Sequence, residues 1–204
     1  MRFSSLVALM TPHGDYEWIP KLMKLIMWIW TKLPDVKLTG IYFGHQVLCR
    51  VLGSEMKPNP EGEWELVHTA LDLTEVRRKL LGLPEGETRI LPASDVAGPR
   101  CQRPLALNDG PARARDEGAC VGRSELTDVQ GMYIQRRVFT SQGQMEFDDK
   151  MVRRQLETLV KSGAVTLDEA TEAAEKAEWV HDGVRVAQAV LRFFHGDDDA
   201  IEAR

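Results

Sequence analysis

Gly40-Ile41-Tyr42-Phe43-Gly44-His45-Gln46 is the stretch whose reading decides the fold. Just upstream, Val36, Leu38 and Ile41 give a strand over 36–42, while Gln46 to Leu52 is apolar at helical spacing and Gly53 ends it. A strand therefore passes into a helix with very few residues between. Gly40 and Gly44 flank Tyr42, where absent Cβ atoms let backbones approach around a strained apex. Such an elbow presents its apex side chain at the edge of a parallel sheet. It also turns the next backbone N–H into the same pocket, at a helix N-terminus that favours negative charge. That geometry suits acyl transfer. The apex residue does not, because a phenol has a pKa of about 10 and needs an activating base.

Toward the N-terminus, residues 5–10 form a continuous apolar run that reads as a buried parallel strand. Pro20 then opens a helix over 21–31, with Leu22, Leu25, Ile26 and Ile29 on one face and Trp28 and Trp30 widening it. Toward the C-terminus, 63–72 alternates partially and predicts one or two antiparallel strands. A short helix over 74–81 follows, with Thr74 at its N-cap. Residues 96–124 are rich in Gly, Pro, Arg and Ala without periodicity, and predict an irregular insertion. Order returns with strands over 129–134 and 137–142 joined by a tight polar turn. Asp148 and Asp149 cap a helix over 150–161. Thr166 and Glu169 have capping-box spacing and open a helix over 167–180. A last amphipathic helix covers 184–194, and the acidic tail at 196–199 is expected to fray.

At 204 residues the chain predicts a single domain over 1–204. Its net charge of −5 and lack of a basic stripe argue against nucleic acid as a partner. No apolar run is long enough to span a bilayer, so no membrane partner is expected. Three cysteines, Cys49, Cys101 and Cys120, are odd in number and lack metal-ligand spacing. No metal and no cofactor are expected, and a reducing, cytoplasmic compartment is.

The elbow resembles that of the class I glutamine amidotransferases, and more closely the small stand-alone amidotransferase-like proteins of that group. The family elbow reads Gly-Ile-Cys-Phe-Gly-His-Gln. Downstream the family has Val-Gln-Gly-Met and then Val-Phe-x-x-Gln-Gly-His-Pro-Glu-Phe. This chain has Val129-Gln130-Gly131-Met132, then Val138-Phe139-Thr140-Ser141-Gln142-Gly143-Gln144-Met145-Glu146-Phe147. Trp18-Ile-Pro-Lys-Leu22, His181-Asp-Gly-Val184 and Leu191-Arg-Phe-Phe194 also look like family segments. The resemblance spans most of 15–90 and 128–195. It implies a flavodoxin-like doubly wound α/β fold: a parallel sheet with flanking helices, here lacking the family's first strand. It implies thiolate attack on the glutamine side-chain amide, a histidine that moves the proton, a glutamate that orients the histidine, and an oxyanion hole at the N–H after the nucleophile. A pocket for glutamine or a related ligand would be contacted by Phe43, Gly44, Gln46, Gln130, Gly131 and Met132.

The triad positions depart from the family. The nucleophile position is Tyr42, the base position is Gln144, and the family proline is Met145; the orienting carboxylate, Glu146, survives. An amide cannot shuttle a proton near neutral pH. The family oxyanion glycine, expected near Met10-Thr11, is absent, and the family's histidine-containing loop reads Leu91-Pro-Ala-Ser-Asp95. The first expectation is therefore a degenerate pseudo-glutaminase that binds or regulates, with a protein partner or synthase as associate. The alternatives are a repurposed enzyme in small-metabolite biosynthesis and a decayed product without a stable fold. Tyr42 then reads as a plug, His45 as a structural residue at the helix start, and Glu146 as a hydrogen-bond acceptor in a turn. Cys49 reads as core, His13 and His68 as surface polar groups, and the arginine pairs 77–78, 136–137 and 153–154 as solvated faces.

Overall fold

The computed structural model describes residues 16–54, 56–57, 66–84, 89–92, 100–101, 119–124, 127 and 129–202. The strand expected over 5–10, His13, and 96–99 and 102–118 of the expected insertion lie outside the described residues. Helix α1 spans Trp18–Lys32. Pro20 is its third residue, where a missing N–H breaks no helical bond. Strand β1 (Leu38–Ile41) leads directly into α2 (Phe43–Val51). The chain continues through β2 (Met56–Lys57), β3 (His68–Leu73), α3 (Glu75–Leu81), β4 (Arg89–Pro92), β5 (Arg100–Cys101), β6 (Ala119–Cys120) and β7 (Gly122–Arg123). It ends with β8 (Met132–Ile134), β9 (Val138–Ser141), and helices α4 (Asp149–Ser162), α5 (Leu167–Glu175) and α6 (Gly183–His195).

The central sheet has the order β1-β9-β8-β6. β1 runs parallel to β9, with Leu38 opposite Val138 and Ile41 opposite Ser141. β9 and β8 form the expected hairpin, antiparallel, with Tyr133 opposite Phe139. β3 pairs antiparallel with both β4 and β7, and β2 with β5. Side chains alternate across the central sheet. Tyr133 and Phe139 enter one core with Val76, Leu80 and Leu81 of α3 and Val186, Ala189 and Phe193 of α6. Met132, Ile134 and Val138 enter a second core on the opposite face, with Cys49 and Leu52 at the end of α2 and Trp30 of α1 packed against it. Helices thus cover both faces. A third cluster joins α4 and α5 to Val67 through Val152, Leu156, Ala170 and Ala173.

Most sequence boundaries hold within two or three residues, because their signals are local caps. Thr74 accepts from Arg77 N, and Asp148 accepts from Met151 N at 2.8 Å. Thr166 and Glu169 form the reciprocal capping box, and Gly163 ends α4 at φ 73°. Three expectations are corrected. Helix α5 stops at Glu175, not 180, because bonds from Lys176 N to Ala173 O and Ala177 N to Ala174 O tighten its end into turns. His68 is buried on β3 and not at the surface. The tail at 196–199 is tethered: Lys37 pairs with Asp199 at 2.8 Å, and Tyr133 Oη donates to Asp198 O at 3.2 Å.

Candidate functional site

The elbow is sharper than spacing alone required. Tyr42 connects strand to helix as a single residue at φ 54°, ψ −109°, a region that L side chains rarely adopt. Its N–H donates to Ser141 O at 2.9 Å, and its carbonyl accepts from Gln46 N at 3.0 Å. The first bond locks the apex to the parallel neighbour; the second starts the helix. A Cβ on Gly40 would lie 2.4 Å from Gly44 C and 2.7 Å from His45 N, so the approach of strand to helix demands glycine there. A Cβ on Gly44 would meet nothing within 4 Å, so Gly44 is not required by space. The Tyr42 side chain is buried at 4% exposure, and Phe43 is half-buried beside Trp18, ring centroids 5.5 Å apart.

On the α2 side of the sheet, His45 is fully buried. Its Nδ1 lies 2.8 Å from Thr140 Oγ1, and Cys49 Sγ lies 3.5 Å from the same nitrogen. Burial first, then the Arg77 charge, push His45 down to about 3, against a bond to the Val129 backbone that raises it. The ring is therefore neutral and fixed. Thr140 Oγ1 also accepts from Met132 N at 2.9 Å, and the Met132 side chain packs in the core with Cys49. Gln46 donates to Gln142 Oε1 at 3.3 Å. Gln142 N donates to Gln130 O at 3.0 Å, and Gln130 Nε2 donates to Ser124 Oγ at 3.0 Å. A Cβ on Gly131 would lie 2.4 Å from Thr140 O and 2.9 Å from Arg77 Nη1. The sequence-predicted contacts Gln46, Gln130 and Gly131 thus converge at the carboxyl ends of β1 and β9, where open α/β sheets bind ligands. Gln142, inside the second family-like motif, joins this group through its bonds to Gln46 and Gln130.

The segment after β9 carries Gln144, which is buried, and Glu146, which faces solvent in the turn. Among the described residues no ion pair involves Glu146. Gly183, the first residue of α6, has no room for a Cβ, because Met145 O would lie 2.2 Å away. The His181 ring accepts from Gly183 N at 3.1 Å and packs on His68 at 4.7 Å between centroids. Burial, then His181, hold His68 below its ordinary value. No three His, Cys, Asp or Glu side chains converge as a metal set among the described residues.

Two arginine expectations need correction. Arg137 is not simply solvated: its guanidinium stacks 4.3 Å from the Trp30 ring and donates to Trp30 O. Arg77 is fully buried on the α3 side, with Nη2 3.5 Å from Ser141 Oγ. The missed signal was helical phase, since Arg77 shares a face with Leu80 and Leu81, three and four residues on.

No protein-family model matches the chain. A Schizosaccharomyces pombe protein, named as glutamine amidotransferase-like, is 27% identical over 181 residues, covering 88% of this chain and 66% of its own length. A Saccharomyces cerevisiae protein, named as a glutamine amidotransferase, is 30% identical over 183 residues, covering 89% of this chain and 66% of its own length. The chain is similar to glutamine amidotransferase-like proteins over most of its length. It spans just under two thirds of these two relatives, at 66% of each. A glutamine amidotransferase structure from Thermotoga maritima matches with TM-score 0.61 at 18% identity, over 94% of this chain and 74% of that one. One from Methylobacillus flagellatus matches with TM-score 0.58 at 18% identity, over 91% and 70%. These likenesses bear on fold, and the flavodoxin-like α/β architecture expected from the sequence holds. No helix among the described residues is long and apolar enough to cross a membrane.

Proposed function

We propose that this amidotransferase-like chain is a degenerate glutaminase: its pocket binds glutamine or a related small ligand, and it acts by binding, as a regulator or as the associate of a synthase. The observation that carries this reading is the elbow apex, a buried Tyr42, combined with Gln144 at the position where the family motif has its base. A phenol must lose its proton before it attacks, and at pKa of about 10 it needs a base to do so. His45 is no stand-in, because burial lowers its basicity to about 3 and its Nδ1 is engaged by Thr140 on a buried face of α2. What supports retained binding is the Phe43 N–H at the start of α2, where backbone donors favour an oxyanion or carboxylate, beside Gln46 and the 130–131 backbone.

Ammonia release from glutamine tests the reading. The purified chain should show no turnover above buffer while calorimetry detects glutamine binding. The double change Tyr42→Cys with Gln144→His should restore measurable hydrolysis. Sustained turnover by the unaltered chain, abolished in Tyr42→Phe, would overturn it.

A further inference from the structure

Among the described residues, Arg77 has no carboxylate counter-charge. Its side chain is fully buried, and neither Nε nor Nη1 has a hydrogen-bond partner among the described residues. Its bond to Ser141 Oγ, at 3.5 Å, is at the limit of what counts as one. Burial pushes the guanidinium down to about 10, and the Cys120 sulfur acts against that shift. The field of the guanidinium is consequently felt elsewhere, and contributes to holding His45 neutral. Arginine cannot discharge itself by losing a proton near neutral pH. A buried, uncompensated guanidinium is strongly unfavourable, and such groups are found paired.

Its position says with what. Ser141 closes β9, and its carbonyl fixes the N–H of Tyr42. Gly131, where a Cβ would stand 2.9 Å from Nη1, keeps the backbone close on the other side. The guanidinium therefore lies at the carboxyl end of the sheet, under the same segments that form the candidate pocket. We infer that Arg77 is the anion-holding residue of this pocket and that the ligand presents a carboxylate to it. The choice of carboxylate over a tetrahedral anion follows from shape: a planar fork matches a planar two-oxygen group through parallel N–H···O bonds. Because the guanidinium is covered, admission of the acid requires local opening, and association is slowed accordingly. The inference rests on the reading of this end of the sheet as a ligand site.

Thermal unfolding and calorimetry of the full chain with glutarate, L-glutamine, the uncharged diamide glutaramide and inorganic phosphate test it. Glutarate should raise the unfolding temperature saturably, and glutaramide should not. Arg77→Met should weaken glutarate binding by at least about thirtyfold. In the absence of any acid the same variant should unfold at a higher temperature than the parent, because it removes an uncompensated charge. Arg77→Lys, which keeps charge but loses the fork, should fall between. No stabilisation of the parent by glutarate, unchanged affinity in Arg77→Met, or preference for phosphate would each overturn the inference. The two readings fail separately. Glutamine binding that survives Arg77→Met sinks the Arg77 role alone, whereas glutarate binding without glutamine binding sinks the glutamine reading alone.

Discussion

His45 shows how one residue's environment sets its chemistry. The imidazole is enclosed between α2 and the sheet, bonded to Thr140, and held at about 3. In the unfolded chain it titrates near its ordinary value of about 6.5. Its contribution to stability is therefore fully present above about pH 6.5. It is lost as pH falls toward 3, because over that window the unfolded chain takes up a proton that the folded chain refuses. The slope from this one group reaches at most about 1.4 kcal/mol per pH unit. His45→Gln keeps a polar partner for Thr140 and removes the titration. Urea midpoints measured from pH 7 to pH 4 should fall less steeply in the variant than in the parent. Parallel curves would mean that the ring is not buried neutral. Tyr42 belongs to the same scale: the flanking glycines predict a strained apex, and its φ of 54° is one.

At the scale of elements, the helices were legible where their ends are written in adjacent residues. Asp148, Thr166, Thr74 and Gly163 all do at their helix ends what their sequence positions imply. Asp148→Ala removes the bond to Met151 N and should destabilise the protein by about 1 kcal/mol, read as a lowered denaturant midpoint at unchanged slope. Asp148→Asn, which can still cap, should recover most of the loss. Failure of asparagine to do so would assign the effect to charge near α4 instead of to the cap bond. Burial was less legible than boundaries, because it depends on which sheet face an element meets. Arg77 and Arg78 are neighbours with the same side chain, yet the phase of α3 places the first wholly inside, between Leu80 and Ser141. His68 reads as a surface group for the same reason: the turns that cover it, near Ala177 and His181, lie about a hundred residues away.

At the scale of the molecule, the tail draws together elements that sequence order keeps apart. The run Asp197-Asp198-Asp199 reads as a solvated acidic end because its partners are remote. In the folded chain Lys37, just before β1, reaches both Phe193 O at 2.6 Å and Asp199 at 2.8 Å. Gln135, in the β8–β9 turn, donates to Asp199 O at 2.7 Å, and Arg192 of α6 lies 3.5 Å from Asp198. Tyr133 Oη, in the middle of the sheet, donates to Asp198 O and Ile201 O. Burial, with Asp198 and Asp199 nearby, pushes that phenol up to about 12, so it remains a donor throughout the physiological range. The tail thus closes the end of the core containing Phe139 and Phe193. Ending the chain at His195 leaves a buried hydroxyl without its acceptors and takes the Asp199 carboxylate from Lys37, at roughly 1–3 kcal/mol for the hydroxyl alone. Truncation should therefore lower the unfolding midpoint by more than Tyr133→Phe, which removes the hydroxyl together with its need for a partner. A truncated chain as stable as the parent would show the tail to be an ornament of the fold. A Tyr133→Phe chain as unstable as the truncation would place the whole effect in one hydroxyl.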